Sequence, residues 1–263
     1  MSAGSGMGNH GRSDFESLAR GRSFSSEAFD RAYRQIVVEG KFQENSEYYL
    51  RYRSRYQQVI RDLGGLLPNR PLNIMEVGGG QHPLLCKALW GDRAFLADLP
   101  GAHQDYVRSQ GGTCAEWNLG RTDAPFAEKM DCIFLCEVMP HIPIPPHIYL
   151  AKLREFLNPG GILLITTPNL FRLRNLIYML RGKNFWGPFA IPEPGQWLGA
   201  FIDFTDDHLR YQLDRAGFHD IDVQLREFGH RATGLGGRIF NAVMKPFTWI
   251  PRYRYNLLAF ARA

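Results

Sequence analysis

The feature that most constrains the fold of this chain is a regular alternation of short apolar runs with amphipathic helical stretches, which begins after Pro71. The apolar runs are LNIMEV, RAFLAD, GTCAEWNL, DCIFLCEV, ILLITTPN, IDVQLREF and NLLAFARA, and helical stretches such as PLLCKALW, HIYLAKLREFL and DDHLRYQLDRAGF lie between them. Strands that alternate with helices form parallel sheets covered by helices on both faces. The sequence therefore predicts an α/β fold, doubly wound around a mostly parallel seven-stranded sheet.

The composition is that of an ordinary globular protein, with 263 residues of which 44% are hydrophobic and 22% charged. These values exclude disordered, collagen-like and coiled-coil proteins. The length favours a single domain with one hydrophobic core and additional segments around it. We expect a flexible tail at 1–25, a helical cap at 26–68 and the α/β domain at 69–263. Within that domain, aromatic and basic stretches at about 170–204 and 229–254 interrupt the alternation, and such insertions often build binding sites.

Cysteine content and the N-terminal sequence bear on the compartment. Four cysteines, Cys86, Cys114, Cys132 and Cys136, are too few for a disulfide scaffold, and none is spaced as CxxC. Buried free thiols favour a reducing compartment. The Gly- and Ser-rich beginning of the chain lacks the apolar segment of a signal peptide, and no window is apolar enough to span a membrane. We therefore expect a cytoplasmic protein.

The second helical stretch of the expected cap carries a stripe of tyrosines. Tyr49, Tyr52 and Tyr56 recur at helical spacing together with Ile60. Two interpretations fit this pattern: the tyrosines pack the helix on a core, or they form a lid over the entrance of a pocket. On the second interpretation, Tyr52 and Tyr56 contact the substrate.

A glycine-rich turn follows the first strand directly, where Gly78, Gly79 and Gly80 separate LNIMEV from a helix. Glycine lets the backbone approach a ligand closely, and the start of the next helix presents free N–H groups. Asp98 ends the second strand, 18 positions after Gly80. A carboxylate at that place can bind the two ribose hydroxyls of an adenosine ligand. The pattern therefore predicts a nucleotide-type site.

Two residues argue against a dinucleotide in this site. Pro83 occupies the position of the third glycine in the G-x-G-x-x-G fingerprint. Glu76 precedes the glycines, and its carboxylate would repel a pyrophosphate but can orient an ammonium group. A ligand with an amino acid portion is therefore favoured over a nicotinamide dinucleotide.

With these landmarks, the sequence resembles the class I S-adenosylmethionine-dependent methyltransferases. The matching pieces are MEVGGG, FLADLP, AEWNL, DCIFLCEVMPHI and LREFLNPGGILLITTPN, which run in the family's order over about residues 70–225. The resemblance implies a Rossmann-like fold, a transferase activity and S-adenosyl-L-methionine as the cofactor.

The resemblance also implies roles for individual residues. Glu76, Gly78 and Gly80 would contact the methionine part of the cofactor, and Asp98 the ribose. Asn118 and Leu119 would border the adenine, and Glu137 would face the junction of cofactor and substrate at the end of the fourth strand. The chain departs from the related pattern E-V-x-E-H, because Pro140 stands where the second acid would be.

Methyl transfer from a sulfonium needs little beyond in-line placement of the acceptor, but an acceptor hydroxyl benefits from a general base. His141, close to the transferring methyl in relatives, is the residue for that role, with Glu137 beside it. The alternative is that His141 only caps the loop after the strand. A metal held by Glu137, His141 and His147 would lack the acid replaced by Pro140, so we expect no metal.

The sequence is less informative about the acceptor. Trp186 and Trp197 belong to the aromatic insertion and are predicted to line a pocket for a flat or sugar ring. We expect O-methylation of a small-molecule or sugar/glycan-type acceptor in a biosynthetic pathway. The alternatives are N-methylation of a heterocycle or amine, and a catalytically silent cofactor-binding protein that lies on a membrane surface. No nucleic-acid partner is expected, and the sequence leaves the oligomeric state open.

Charge is distributed unevenly along the chain, whose net charge is +5. No acid occurs between Glu155 and Glu193 or after Glu227. Those two stretches carry ten basic residues, which leaves the rest of the chain at a net charge of −5: Arg172, Arg174, Arg181, Lys183, Arg231, Arg238, Lys245, Arg252, Arg254 and Arg262. We therefore expect the acceptor, or a peripheral membrane surface that presents it, to be anionic.

Overall fold

The computed structural model describes residues 21–119, 125–186, 200–228, 239, 242 and 245–263. Its described strands form one seven-stranded sheet in the order β3-β2-β1-β4-β5-β7-β6. The first five strands pair in parallel, and β7 runs antiparallel between β5 and β6. The predicted fold is confirmed, with the strands at β1 Asn73–Val77, β2 Arg93–Asp98, β3 Thr113–Glu116, β4 Met130–Cys136, β5 Leu157–Pro168, β6 His219–Arg226 and β7 Asn256–Arg262.

Seven α-helices are assigned in the described residues, and they include every helical stretch that the sequence predicts. They are α1 Ser26–Ala32, α2 Ser46–Gly64, α3 Gln81–Trp90, α4 His103–Ser109, α5 Pro146–Phe156, α6 Leu173–Leu180 and α7 Asp206–Arg215. A π-helical turn at Tyr33–Val38 continues α1, and short 3-10 turns occur at Met139–His141, Lys245–Trp249 and Pro251–Tyr253.

The sheet separates two hydrophobic cores because successive residues of a strand point to opposite faces. In β1, Ile74 belongs to the core under α1, α2 and α3, whereas the next residue, Met75, belongs to the core under α5 and α7. Neighbouring residues of β5 divide in the same way. Strands buried on both faces explain why their sequences are nearly continuous apolar runs rather than alternating ones.

The predicted helical cap is built into one face of this sheet. Helix α2 begins after Asn45, whose side chain accepts a hydrogen bond from the Tyr48 N–H at 2.9 Å. Its buried side chains follow helical spacing and join the first core, with Tyr49, Tyr56 and Ile60 at 4% exposure or less. The interpretation of the tyrosine stripe as core packing is therefore confirmed for Tyr49 and Tyr56.

The expected flexible tail is shorter than 1–25, because Arg22 belongs to the fold. Its guanidinium forms an ion pair with Asp92 at 2.6 Å, and both side chains are fully buried. The same guanidinium donates to the backbone oxygen of Pro68 at 2.9 Å. Residues 21–25 therefore connect to the α/β domain, and the boundary that composition placed at residue 25 is corrected. Residues 1–20 lie outside the described part of the chain.

Two sequence expectations concern thiols and membrane spans. All four cysteines are free, with Cys86 and Cys132 buried and Cys114 and Cys136 partly exposed. Burial raises the pKa of the Cys86 thiol well above its usual value, so this group stays protonated at neutral pH. Among the described helices, none combines the length and the apolar character needed to span a bilayer.

The two insertions leave the sheet at the same edge. The first follows the carboxyl end of β5, and the second ends at the start of β7, where Pro168 pairs with Asn256. Asn169 ties them together, since its side-chain amide donates to the backbone oxygens of Arg252 at 2.9 Å and Arg254 at 2.8 Å. This is also the edge at which β1, β2 and β4 end.

Candidate active site

The glycine turn between β1 and α3 has the backbone that its sequence predicts. Gly78, Gly79 and Gly80 have φ values of +78°, +102° and +89°, a region that favours glycine. A Cβ added to Gly78 would lie 2.9 Å from a methyl group of Val138. Side chains are therefore excluded from the turn, and a ligand can approach its backbone closely.

Asp98 projects from the end of β2 toward this turn. Its Oδ2 accepts hydrogen bonds from the Gly79 N–H at 3.2 Å and from His103 Nε2 at 2.9 Å, while Oδ1 accepts from the Leu99 N–H at 2.7 Å. Its side chain keeps 16% exposure. A carboxylate fixed in this way, beside a turn without side chains, fits the ribose of an adenosine-containing ligand.

His103, at the start of α4, is a residue that sequence reasoning missed. The Gln43 side-chain amide lies 3.3 Å from its Nδ1, so Nδ1 accepts and Nε2 carries the proton that is donated to Asp98. The imidazole is buried, at 2% side-chain exposure. The signal was a histidine five positions after the ribose acid, but its partner Gln43 comes from a distant part of the chain.

Glu76 lies at the glycine turn, and its side chain is enclosed by the protein. Its side chain is buried, its Oε2 accepts from the His82 N–H at 3.0 Å, and its Oε1 lies 2.6 Å from His82 Nδ1. Glu76 thereby anchors the first turn of α3. Contact with the methionine part of the cofactor remains a prediction for this residue, as it does for Gly78 and Gly80.

His82, in the first turn of α3, is sandwiched between two aromatic rings. Tyr56 and Phe134 each stack on the imidazole with centroids 4.7 Å away. Glu76, His82 and Cys136 place potential metal-ligand atoms within 4.8 Å of one another. Burial raises the pKa of the Cys136 thiol well above its usual value, which disfavours the thiolate that a metal requires. The cluster therefore fits apolar packing better than metal binding.

Glu137, directly after β4, combines an unusual backbone with a polar cluster. Its φ of +59° is rare for a residue with a side chain and is typical of functional sites. Its Oε1 accepts from Thr166 Oγ1 at 2.9 Å and from Asn256 Nδ2 at 3.4 Å. The carboxylate thus joins the ends of β4, β5 and β7 at the edge where the cofactor residues lie.

Arg55 completes this cluster from the other side of the site, and sequence reasoning did not single it out. Its Nη1 lies 3.7 Å from Glu137 Oε1, and its Nη2 lies 3.5 Å from the Tyr48 hydroxyl. Burial alone would lower the pKa of Arg55, but the Glu137 carboxylate together with Tyr56 and Tyr48 raises it well above its usual value. The signal was the recurrence of aromatic and basic residues on one face of α2.

The two tyrosines predicted to contact the substrate have different surroundings. Tyr56 is 4% exposed and stacked on His82, so it cannot reach an acceptor at the surface, and its predicted role is corrected. Tyr52 is partly exposed, and its ring lies 4.5 Å from that of Tyr48 in a tilted arrangement and 4.9 Å from the Arg55 guanidinium. Substrate contact remains a prediction for Tyr52 alone.

His141 ends the 3-10 turn Met139–His141 that follows Glu137, and its side chain is partly exposed. Pro140 accepts a backbone hydrogen bond from Phe201 at 2.7 Å, which brings the end of the first insertion next to this turn. His147 is engaged elsewhere, because its N–H and its Nδ1 lie 3.1 and 3.2 Å from Gln212 Oε1. The structure does not bring His147 to Glu137 as a ligand set would require.

The remaining predicted site residues are those assigned to the adenine and to the acceptor. Asn118 is exposed at the end of β3, beside Trp117, whose N–H donates to the Asp98 carbonyl at 2.8 Å. Leu119 is 5% exposed and belongs to the second core. Trp186 is exposed and contacts Phe185, and Trp197 lies outside the described residues. Their roles at the adenine and the acceptor remain predictions.

Fold and site together define the class of the protein. The strand order with an antiparallel seventh strand, the all-positive glycine turn and the acid at the end of β2 are those of a Rossmann-like S-adenosylmethionine-dependent methyltransferase. A family profile described as a methyltransferase domain matches residues 48–223, well over half of the chain. The protein belongs to this family of methyltransferases, it is an enzyme, and its cofactor is S-adenosylmethionine.

Solved structures share this fold at low sequence identity. An S-adenosylmethionine-dependent methyltransferase of Thermotoga maritima, named as a possible histamine N-methyltransferase, is 14% identical and superposes with a TM-score of 0.55 over 89% of this chain and 99% of its own. A methyltransferase of Mesorhizobium loti is 17% identical, with a TM-score of 0.53 and coverages of 79% and 97%. A methyltransferase from Archaeoglobus fulgidus is 14% identical, with a TM-score of 0.52 over 83% of this chain and 100% of its own. Among curated protein sequences, none matches.

Proposed function

We propose that the protein transfers a methyl group to a hydroxyl of a small-molecule or glycan-type acceptor that carries negative charge. The observation that carries this proposal is the position of His141. Its partly exposed imidazole stands one turn after Glu137, at the edge from which both basic insertions emerge. A histidine at this place can accept the proton that a hydroxyl must lose.

The cofactor-binding residues position the cofactor and take no part in proton transfer. The bound cofactor provides an electrophilic methyl group on a sulfonium, and in-line placement of the acceptor then accounts for much of the rate. The turn Gly78–Gly80 offers backbone at close range, and Asp98, held by His103, is oriented for the ribose hydroxyls. His141 accepts the acceptor's proton as the bond to carbon forms.

Glu137 orients this edge of the site. The three described polar contacts of its side chain, with Thr166, Asn256 and Arg55, are all made to the same oxygen, Oε1. Among the described residues, none bonds to the other oxygen, Oε2. Since a neighbouring guanidinium already offsets its charge, we assign Glu137 to positioning the cofactor and acceptor, and His141 to the proton transfer.

The charge of the insertions supports an anionic acceptor, and the structure narrows which residues can meet it. Arg172 forms an ion pair with buried Asp203 at 3.1 Å and donates to Asn175, so it holds the insertion together. Arg181 and Lys183 are exposed just after α6. These two are therefore the better candidates for contact with a phosphate or carboxylate of the acceptor.

N-methylation of an amine is the alternative within the same enzyme class. A cationic amine would be attracted by a carboxylate at the methyl-transfer edge, but the Arg55 guanidinium lies 3.7 Å from Glu137 and weakens that attraction. The resemblance to the Thermotoga maritima structure extends to the fold only, at 14% identity. A catalytically silent protein remains the alternative outside the class.

The test is formation of S-adenosylhomocysteine from S-adenosylmethionine in the presence of matched acceptor pools. The pools are anionic sugars and glycans, their neutral counterparts, and heterocyclic amines. We expect S-adenosylhomocysteine to form with the anionic hydroxyl acceptors and to form more slowly with the neutral ones. Turnover confined to the amine pool would replace O-methylation by N-methylation, and cofactor binding without turnover on any pool would support the silent protein.

A further inference from the structure

Exposed apolar side chains are concentrated in the two insertions. Eleven large hydrophobic side chains are exposed in the described part of the chain, and seven of them lie in the two insertions, at about 170–204 and 229–254. Leu180 and Trp249 are 89% and 78% exposed. We call the following six the apolar rim: Met179, Leu180, Trp186, Phe247, Trp249 and Ile250. Such a concentration on a protein surface marks a site of interaction.

The apolar rim consists of two segments whose first or last residues lie side by side at the sheet edge. One is the end of α6 with the residues that follow it, and the other is the pair of 3-10 turns before β7. Asn169 connects their bases through its bonds to Arg252 and Arg254, and the Arg252 guanidinium lies 5.7 Å from the Phe171 ring centroid. Both segments therefore emerge at the edge of the sheet that carries Glu137 and His141.

Basic side chains accompany the rim and acids do not. The sequence has no acid from 156 to 192 or after Glu227, and the rim segments carry Arg181, Lys183, Lys245 and Arg252, all of them exposed. Helix α6 also presents its apolar end outward, since Met179 and Leu180 are exposed in its last turn. Exposed aliphatic and tryptophan side chains are thus interspersed with positive charge.

This combination distinguishes among the partners that an apolar surface can have. In a dimer built from the same rim on two copies, like charges would face each other at a cost. The phosphates of a nucleic acid could bind the basic residues, but such binding does not account for the exposed side chains of Leu180, Met179 and Ile250. The surface of an anionic bilayer suits both components, since tryptophan and aliphatic side chains enter the interface while lysine and arginine meet the headgroups.

We infer that the apolar rim docks on the surface of an anionic lipid bilayer. Trp249 and Leu180, the most exposed members, insert among the acyl chains near the headgroups, and Lys183 and Lys245 pair with anionic headgroups. Docking turns the active-site edge toward the bilayer. The inference concerns binding alone and holds whether the acceptor is soluble or lipid-linked.

The test is sedimentation of the full-length protein with vesicles of phosphatidylcholine or of phosphatidylcholine mixed with phosphatidylglycerol. We expect binding to the mixed vesicles, a blue shift of tryptophan fluorescence, and weakening by salt. Trp249→Ala combined with Leu180→Ala should lower the partition coefficient at least about tenfold, because two apolar insertions are lost. Lys183→Gln with Lys245→Gln should remove most of the preference for the anionic lipid.

The matched control is Tyr211→Ala on α7. Tyr211 is 55% exposed, like the rim residues, but it lies between Asp207 and Asp214. This variant should bind vesicles like the wild type, and all variants should bind S-adenosylhomocysteine normally, which shows that they are folded. The inference is overturned if the mixed vesicles bind no better than phosphatidylcholine, or if the rim variants bind as well as the wild type. Binding of RNA or formation of dimers, each abolished by the rim variants while vesicles are not bound, would identify the other partners.

Discussion

The Arg55 guanidinium reaches from α2 to within 3.7 Å of Glu137 Oε1, so a helix that precedes the first strand is joined to the sheet edge that carries the candidate site. Arg55 is 8% exposed at its side chain and Glu137 is 26% exposed. The pair therefore lies largely out of water, where loss of one partner leaves the other charge poorly compensated. This relationship links α2 to the candidate active site in addition to its contribution to the core.

We predict that Arg55→Met lowers the free energy of unfolding by about 1–3 kcal/mol, because Glu137 and Tyr48 lose their partner. Arg55→Lys should lose less, since it keeps the charge without the guanidinium fork. Urea unfolding at neutral pH measures both. The control is Arg51→Met on the same helix, whose pair with exposed Glu47 should contribute about 0.5 kcal/mol or less. An unchanged midpoint for Arg55→Met would show that the pair does not stabilise α2.

Asp98→Asn should weaken binding of S-adenosylhomocysteine by about 10- to 100-fold, because hydrogen bonds from the ribose to a charged group are lost. His103→Ala should weaken it less, since Asp98 keeps its backbone donors, the N–H groups of Gly79 and Leu99. Isothermal titration measures both affinities. Asp105→Asn is the matched control, because Asp105 is 85% exposed at its side chain on the neighbouring helix. Equal affinity of Asp98→Asn and wild type would remove Asp98 from the ribose site.

His141→Ala should reduce turnover of the acceptor by about 100-fold or more while leaving cofactor affinity unchanged, as expected for a general base. The measurement is the initial rate of S-adenosylhomocysteine formation with the acceptor found in the pool experiment. His147→Ala serves as the control, since His147 is bonded to Gln212 between α5 and α7. Near-normal turnover of His141→Ala would assign this histidine to the loop instead.

Arg22→Met should lower the free energy of unfolding by about 3–5 kcal/mol, because it leaves the Asp92 carboxylate buried and uncompensated. Replacing both partners with apolar residues, Arg22→Met with Asp92→Leu, should recover part of this loss. Thermal and urea unfolding measure the effect. The pair Arg70–Asp131 offers the control, because the Arg70 side chain is 60% exposed, and Arg70→Met should cost less than about 1 kcal/mol. A small loss for Arg22→Met would mean that the segment before α1 contributes little to the fold.

Stability should fall at alkaline pH through the buried tyrosines. Burial raises the pKa of Tyr49 to about 12, and the pKa of Tyr56 is raised well above its usual value for the same reason. Because the folded-state pKa exceeds the unfolded value, the contribution of Tyr49 is complete below about pH 10 and is lost as the pH rises toward 12.

Urea midpoints at about pH 8, 10 and 11 test this dependence. Tyr49→Phe should be less stable than the wild type at the lowest pH, because the hydrogen bond from Gln81 at 3.1 Å is lost. Its midpoint should then fall less steeply above pH 10, because no phenol is ionised at this position. Tyr211→Phe, at an exposed position, should keep the wild-type slope. Identical slopes for Tyr49→Phe and wild type would contradict the assignment.

The fold was predictable from sequence to the level of its elements. Strand β1 followed by Gly78–Gly80 and α3, and β2 ending in Asp98, could be located because they depend on residue periodicity and on local backbone preference. The same local rules missed Arg55, which is separated from Glu137 by 82 positions. They also allowed substrate contact for Tyr56, whereas the packing of α2 on α3 stacks its ring on His82.

The sequence by itself determined the type and order of the elements, the glycine turn and the acid that define the cofactor class. It also determined that the surplus of positive charge comes from two stretches without acids, 156–192 and the residues after Glu227. Only the tertiary structure decided that β5 and β7 pair so that both insertions emerge beside Glu137 and His141. The physical reason is that element formation depends on near neighbours in the chain, whereas the composition of a site depends on which elements pack together.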